Sequence, residues 1–132
     1  CCAADEVYMG ELGNLTAFMD RNNIQIDGMT EDVMPLDSLK EKYEAFGWHV
    51  IEIDGHNIQA IVDATNEAKA IPEKPTLIIA RTIPGKGVPE IEYDYRWHGN
   101  PPGLVDVPGA PPKDQQVIVA LKDLKNKKVG RL

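Results

Sequence analysis

One loop of this sequence carries oxygen donors of the kind that bind a divalent cation. In DRNNIQIDG, residues 20–28, Asn22 offers a side-chain carbonyl and Ile24 offers a main-chain carbonyl. Mg²⁺ prefers a small octahedral set of oxygens that often includes substrate phosphates. Asparagine and aspartate also build turns by bonding their own backbone, so a purely structural interpretation exists as well for Asp20, Asn22, Asn23 and Asp27. The loop alone leaves both interpretations open.

A later loop, RTIPGKGVPEIEYDYRWHG, residues 81–99, ends in a histidine. A histidine titrates near neutral pH and can relay protons, which makes His98 a candidate catalytic residue. The GKG triplet around Lys86 is not a phosphate-binding P-loop, because the full glycine spacing and the following Ser or Thr are missing. We interpret Lys86 as a surface charge and Trp97 as a packing residue. The acidic side chains between them fit a solvated loop better than a metal site.

Two short apolar runs and one alternating run predict the strands that position these loops. LTAFM (15–19), WHVIEID (48–54) and TLIIA (76–80) are rich in residues that favour strands, and each is followed by polar or turn-forming residues. In open parallel sheets, ligands gather beyond the carboxyl ends of the strands. The loops after the first and third strands are therefore the places to look for a site. His49 and His56, in the second strand and the turn after it, are interpreted as structural.

Helices are predicted between and after these strands. Asp37 precedes SLKEKYEAFG, in which Glu41 completes an approximate capping pattern and Gly47 supplies a left-handed stop. Two further helices span residues 57–70 and 113–125, and a loosely helical mixture spans residues 1–12. The GLVDVPGAPP segment before the last helix is interpreted as a flexible or extended connection. From helical spacing, the inward positions are predicted to be Ile58, Ile61, Val62 and Thr65 in one helix and Val117, Ala120, Leu121 and Leu124 in the other.

The order strand, helix, strand, helix, strand predicts a three-layer α/β fold, a mostly parallel sheet with flanking helices. Three such strands leave a hydrophobic sheet edge and an open face, so the chain resembles half a domain that is truncated on its N-terminal side. We assign residues 1–112 to a partial α/β domain and residues 113–132 to the C-terminal helix and basic tail of the same domain.

Composition excludes several classes of function. The chain has 132 residues and a formal net charge of −7, so a dominant electrostatic grip on nucleic acid or anionic lipid is not expected. No apolar run approaches the roughly 18 residues that a membrane-spanning helix needs. The only cysteines, Cys1 and Cys2, are adjacent and cannot form a disulfide bond that links distant segments of the chain. We therefore expect a cytoplasmic protein that binds neither membrane nor nucleic acid.

The order of motifs is more specific than any one of them. DRNNIQIDG, TEDVMPLDSLKEKYEAFGWHVIEIDGHN, PTLIIARTIPGKGV and DYRWHG together resemble the thiamine-diphosphate-binding (N-terminal) domain of transketolases, in particular those split into two subunits. The resemblance runs from Leu12 to Pro102 and corresponds to the C-terminal half of that domain. Deoxyxylulose-phosphate synthases and dehydrogenase E1 components share the architecture of the cofactor site but match these sequence motifs less well.

The resemblance implies transfer of a two-carbon ketol unit between sugar phosphates, with thiamine diphosphate and Mg²⁺ or Ca²⁺ as cofactors. It also implies a homo-oligomer such as a dimer, a place in the pentose phosphate pathway, and a partner in a pyrimidine-binding domain or C-terminal transketolase subunit. The implied metal ligands are the Asn22 amide oxygen and the Ile24 carbonyl. Cofactor contacts are implied for Asn22, Ile24, Ile26, Pro84, Gly85 and His98, with Gly87 in the same approaching loop and His98 also catalytic.

One part of the family pattern is absent from these 132 residues. The family motif begins with a Gly-Asp-Gly triplet whose aspartate is a metal ligand, and no such triplet occurs here. The pyrimidine-binding part is absent as well, so we expect the isolated chain to be inactive. Two alternatives remain open: a non-catalytic α/β interaction module, and a related thiamine-diphosphate enzyme such as a deoxyxylulose-phosphate synthase.

Overall fold

A computed structural model describes residues 12–126, which form two compact units. The sheet unit comprises residues 12–21 and 36–82, and the hairpin unit comprises residues 22–35 and 83–126. The predicted helix over residues 1–12 and the basic tail after residue 126 lie outside the described residues, apart from Leu12. In chain order the elements are β1 (Thr16–Arg21), β2 (Ile24–Gln25), β3 (Gly28–Met29), α1 (Thr30–Val33), α2 (Leu39–Ala45), β4 (His49–Asp54), α3 (Ile58–Lys69), β5 (Thr76–Arg81), a 3₁₀ helix (Tyr95–Trp97) and α4 (Lys113–Asn126).

The three predicted strands form one parallel sheet in the order β1, β5, β4. Thr76 at the start of β5 is in register with Thr16 of β1 and with His49 of β4. The central strand β5 is buried over its first four residues, as expected for a parallel strand covered on both faces. The first strand continues to Arg21, two residues beyond the predicted end at Met19. The prediction of a mostly parallel sheet is confirmed.

Each face of the sheet has its own apolar cluster. On one face, Leu77 and Ile79 of β5 pack with Val50 of β4 and with Leu39 and Trp48. On the other face, Ile78, which is fully buried, packs with Ala64 and Ala68 of α3. Successive side chains of a strand point to opposite faces, so β5 alone feeds both clusters. The predicted three-layer arrangement of helix, sheet and helix is confirmed.

The second helix begins where the capping pattern indicates. The Ser38 hydroxyl accepts a hydrogen bond from the Glu41 main-chain N–H at 3.2 Å, which satisfies one of the unpaired donors at a helix start. Beyond its end, Gly47 has a φ of 85°, the left-handed conformation that stops a helix. Tyr43 then packs edge to face on Trp48, with ring centroids 5.6 Å apart.

The predicted inward face of α3 is wrong for two of its four residues. Ile58 and Val62 are 62% and 47% exposed, whereas Ala64 and Ala68 are buried against the sheet. Small side chains allow the helix axis to approach β4 and β5 closely, and this turns the larger residues outward. Ile61 and Thr65 are half-buried.

The predicted inward face of α4 is also wrong. Val117, Leu121 and Leu124 are each more than 40% exposed, and Ala120 is half-buried. The buried residue of this helix is the polar Gln116. Its amide bonds to backbone groups of the preceding loop, and these bonds set the rotation of the helix.

The expected open face of the sheet is visible at β1. Phe18 is in register with the buried Ile78, yet it is 51% exposed.

Within residues 12–126, no helix is long and apolar enough to cross a membrane.

Candidate functional site

The first part of the candidate site is a tight turn directly after β1. Asn22 Oδ1 accepts a hydrogen bond from the Ile24 N–H at 3.1 Å, which is an Asx turn. Asn23 has a φ of 64°, a left-handed conformation that asparagine tolerates better than most residues. The Asn23 carbonyl in turn accepts from the Thr30 N–H at 2.9 Å. This network places the Asn22 amide oxygen beside the main chain of Ile24.

The turn leads into a small hairpin that the sequence analysis missed. Antiparallel β2 and β3 pair Ile24 with Met29 and Gln25 with Gly28, leaving Ile26 and Asp27 as a two-residue connection. The pair Asp27-Gly28 did not signal this hairpin, because Asp-Gly marks a two-residue connection in which both residues have a positive φ, whereas here Gly28 begins β3 and neither residue has a positive φ. Ile24 is buried, whereas Ile26 is 74% exposed. The hairpin thus presents a large apolar side chain at its tip.

The second part of the site is the loop of residues 83–92, here called the glycine loop. Gly85 has a φ of 68°, and a Cβ atom built there would lie 2.2 Å from Cγ2 of Ile91. No other residue type fits that position without moving the loop. The Gly85 carbonyl accepts from the Val88 N–H at 3.1 Å, and the Gly87 N–H donates to Glu92 Oε1 at 2.8 Å. The backbone of this loop therefore has a defined shape.

The third part of the site is the segment that ends at His98. His98 follows the 3₁₀ helix and is exposed, while the preceding Trp97 is buried. The His98 N–H donates to the Tyr95 carbonyl at 2.8 Å. Strand β3 of the hairpin lies against this 3₁₀ helix. The hairpin that begins at Asn22 and the segment that presents His98 are therefore neighbours within one unit.

An ion pair fixes the start of the His98 segment. Arg96 donates from Nε to Oδ1 of Asp94 at 2.9 Å and from Nη2 to Oδ2 at 2.6 Å. The same guanidinium donates from Nη1 to the Pro108 carbonyl at 2.6 Å. These hydrogen bonds from Arg96 hold the pKa of the Asp94 carboxyl below its usual value of 3.8, against the opposing effect of burial. Asp94 is thus bonded within the protein rather than simply solvated, whereas Glu90 of the same loop is exposed.

The lowered pKa predicts a specific loss of stability in acid. A carboxyl whose pKa is depressed on folding stabilises the folded state above its unfolded pKa, and that contribution is lost as pH falls through the folded pKa. We expect Asp94→Asn to be less stable than wild type between pH 5 and 7, roughly the range in which the carboxyl is fully ionised. The difference should shrink below the ordinary value of 3.8. Urea denaturation at a series of pH values measures it.

A matched control for this experiment is Asp106→Asn. Asp106 pairs with Lys113 at 2.9 Å, but its side chain is 81% exposed, so its contribution should be close to zero. A stability difference between wild type and Asp94→Asn that stays constant from pH 7 to pH 3 would show that the ion pair does not act through ionisation of Asp94.

The loop after His98 is held by a buried glutamine that sequence reasoning did not identify. Gln116 Oε1 accepts from the Gly103 N–H at 2.8 Å, and Nε2 donates to the carbonyls of Val105 at 3.1 Å and Pro111 at 3.0 Å. Gln116 is only 4% exposed. The segment interpreted as a flexible or extended connection is thus tied at several points to the helix that follows it.

All the predicted site residues lie in the hairpin unit, on three separate segments. Asn22 and Ile24 share the Asx turn, and Ile26 follows at the hairpin tip. Among residues 12–126, no group of three or more histidine, cysteine, aspartate or glutamate side chains is arranged to hold a metal ion. That search does not concern an asparagine amide oxygen or a main-chain carbonyl, so the predicted metal-binding and catalytic roles stay predictions. The remaining predicted positions are Pro84 and Gly85 on the glycine loop and His98 beyond the 3₁₀ helix.

Comparison with known proteins identifies one family. Residues 3–112 match the family model described as the transketolase thiamine diphosphate binding domain. The chain is 51% identical over 76 residues to a 6-deoxy-6-sulfo-D-fructose transketolase subunit from Clostridium, covering 58% of this chain and 28% of the relative. It is 46% identical over 97 residues to transketolase 2 of Escherichia coli, covering 73% of this chain and 14% of the relative. The chain therefore spans less than a third of either relative.

Solved structures give the same picture. A transketolase variant from Pichia stipitis in complex with fructose 6-phosphate matches with a TM-score of 0.64 and 28% identity, covering 93% of this chain and 21% of that chain. Transketolase from Campylobacter jejuni matches with a TM-score of 0.64 and 25% identity, covering 93% and 22%.

Proposed function

Because the chain belongs to the family of transketolase thiamine diphosphate binding domains, we propose that it supplies the diphosphate and metal side of a ketol-transfer site. In this proposal Asn22, Ile24, Ile26, Pro84, Gly85 and His98 contact thiamine diphosphate. The observation that supports it is the packing of β3 against the 3₁₀ helix, which makes the hairpin after Asn22 a neighbour of the segment that ends at His98. The family match and the transketolase relatives favour this function over an interaction module or a deoxyxylulose-phosphate synthase.

The donor chemistry of the Asn22 turn fits a hard divalent cation. Asn22 Oδ1 and the Ile24 carbonyl are uncharged oxygens, the ligand type that Mg²⁺ and Ca²⁺ take together with phosphate oxygens. The Asx turn uses one lone pair of Oδ1 and leaves a second one for a metal. Asn22 and Ile24 would hold Mg²⁺, or Ca²⁺, against the diphosphate.

The remaining residues orient the cofactor and exclude water. When bound, thiamine diphosphate supplies the electron sink that allows a carbon–carbon bond beside a carbonyl to break. The exposed Ile26 would cover the reacting region with apolar surface. His98, exposed at the end of its segment, would bind substrate oxygens and move a proton at an imidazole nitrogen. The glycine loop at Pro84 and Gly85 lets the main chain approach closely.

The substrates and partners follow from the same family assignment. We propose sugar phosphates as substrates, with fructose 6-phosphate bound to the Pichia transketolase variant as the model. The Clostridium relative is a transketolase subunit, which supports a partner chain that carries the pyrimidine-binding part, within a homo-oligomeric assembly in the cytoplasm. The 132 residues contain no Gly-Asp-Gly triplet, so the chain by itself should show no ketol transfer. Measurable transfer by the purified chain would contradict this part.

Thermal melting of the full chain tests the cofactor proposal. A ligand that binds only the folded state raises the melting temperature as its concentration exceeds the Kd. We expect thiamine diphosphate to raise the melting temperature in the presence of Mg²⁺, and to lose most of that effect in EDTA. Thiamine without its diphosphate is the matched control and should give no shift. An unchanged melting curve at millimolar thiamine diphosphate and Mg²⁺ would favour the interaction module.

A further inference from the structure

The glycine loop contains a buried main-chain donor that a carboxylate satisfies. Gly87 is buried, and its N–H donates to Oε1 of Glu92 at 2.8 Å. Glu92 is itself fixed by its own N–H, which donates to the Val88 carbonyl at 3.1 Å. A buried N–H without a partner is costly, and a charged acceptor satisfies it more strongly than a neutral one. Glu92 therefore stabilises the loop in one shape.

The other main-chain N–H groups of the loop differ in whether they have a hydrogen-bond partner. The Lys86 N–H donates to the Ile83 carbonyl at 3.2 Å, and the Val88 N–H donates to the Gly85 carbonyl at 3.1 Å. Pro84 has no N–H to offer. Gly85 is exposed, and in the described part of the chain its N–H has no hydrogen-bond partner. Of the main-chain donors from residue 84 to residue 88, only that of Gly85 is available to a ligand.

We infer that Glu92 is a positioning residue for the cofactor site, and that it leaves the Gly85 N–H as the single main-chain donor of this loop for thiamine diphosphate. The inference rests on the proposed function for its ligand, but the Glu92 contact exists without any ligand. Without the hydrogen bond from the Gly87 N–H to Glu92, the loop would relax, and the Gly85 N–H would lose its fixed direction. Glu92 acts through the backbone and does not itself contact the cofactor in this inference.

The first measurement needs no cofactor. Amide hydrogen exchange at Gly87 is followed by NMR in the full 132-residue chain. We expect slow exchange in wild type and in Glu92→Gln, whose side-chain oxygen still accepts the bond. Exchange should be about tenfold faster or more in Glu92→Ala. Glu90→Ala, an exposed glutamate of the same loop, is the matched control and should behave as wild type. Unchanged Gly87 exchange in Glu92→Ala overturns the inference.

The second measurement adds thiamine diphosphate and Mg²⁺ to the same samples. We expect the Gly85 amide resonance to move more than those of Lys86, Gly87 and Val88, with Kd raised several-fold in Glu92→Ala and restored in Glu92→Gln. Equal affinity in all variants overturns the positioning role and leaves the proposed function intact. Failure of the wild-type chain to bind, with Gly87 protected, overturns the proposed function and the positioning role together, but not the Glu92 contact. If Glu92→Ala does not fold, Glu92→Asp, whose shorter side chain withdraws the acceptor, replaces it.

Discussion

Replacing Gln116 with leucine should lower the free energy of unfolding by about 3 kcal/mol or more, because three backbone groups then lose their partner inside the protein. Those groups are the Gly103 N–H and the carbonyls of Val105 and Pro111. A buried group left without a hydrogen bond costs roughly 1–3 kcal/mol. Leucine is somewhat larger than glutamine, so the change removes hydrogen bonds without leaving a cavity. Urea denaturation followed by the fluorescence of the two tryptophans, Trp48 and Trp97, measures the effect.

The neighbouring glutamine provides the control for that experiment. Gln115 precedes Gln116 on α4 but is exposed, so Gln115→Leu should change stability by about 0.5 kcal/mol or less. Equal stability of the two variants would show that Gln116 does not hold the loop. Because this loop follows His98 directly, the Gln116 variant should also broaden the His98 resonances.

Replacing Asn22 with alanine should weaken the binding of thiamine diphosphate with Mg²⁺ by about 10–100-fold or more. The proposed metal ligand is lost, and so is the 3.1 Å hydrogen bond from the Ile24 N–H that shapes the turn. Asn22→Asp keeps an oxygen at the same place and should bind within a few-fold of wild type. Isothermal titration calorimetry at fixed Mg²⁺ measures both variants.

An asparagine elsewhere in the chain controls for nonspecific effects of the substitution. Asn66 is exposed in the middle of α3, so Asn66→Ala should leave cofactor binding unchanged. Wild-type affinity in Asn22→Ala would remove Asn22 from the metal site. Loss of binding in Asn22→Ala and also in Asn66→Ala would point to a general loss of folding instead.

The sheet was predictable because β1 and β5 contain short apolar runs and β4 alternates between apolar and polar residues. Ile78 and Ile79 are large apolar residues that are stabilised by burial, and the run that contains them forms β5 at the centre of the sheet. The helix after Asp37 was predictable for a different reason, since its start and stop depend on local chemistry at Ser38 and Gly47. Local capping and apolar runs act over a few residues, so the sequence is enough to identify them.

The faces of the later helices were not predictable from apolar spacing. In α3 the close approach to the sheet selects Ala64 and Ala68, so Ile58 turns outward despite its larger apolar surface. In α4 the orientation depends on hydrogen bonds between Gln116 and the backbone of a loop. The spacing of apolar residues along a helix contains no information about such a bond. Both cases involve contacts between segments, which a pattern along one helix does not contain.

For the candidate site, the residue types were identifiable and their arrangement was not. Asn22 stands out as an oxygen donor at the end of a strand, and the Asx turn that joins it to Ile24 is what asparagine favours, whereas the role of the Ile24 carbonyl was implied only by the family resemblance. The hairpin behind them and its packing on the 3₁₀ helix depend on pairing between distant segments. The role of Glu92 was hidden for the same reason, because an acidic loop residue gives no sign of which N–H it satisfies.

The most direct test of the proposed site replaces Mg²⁺ with paramagnetic Mn²⁺ in the presence of thiamine diphosphate. A bound Mn²⁺ broadens the NMR resonances of nearby nuclei, so the position of the cation can be read from the amides that disappear. The proposed site predicts that Asn22 and Ile24 broaden first and His98 next, and that removing the diphosphate restores all three. Broadening centred on Glu90, or broadening that does not depend on thiamine diphosphate, would contradict it.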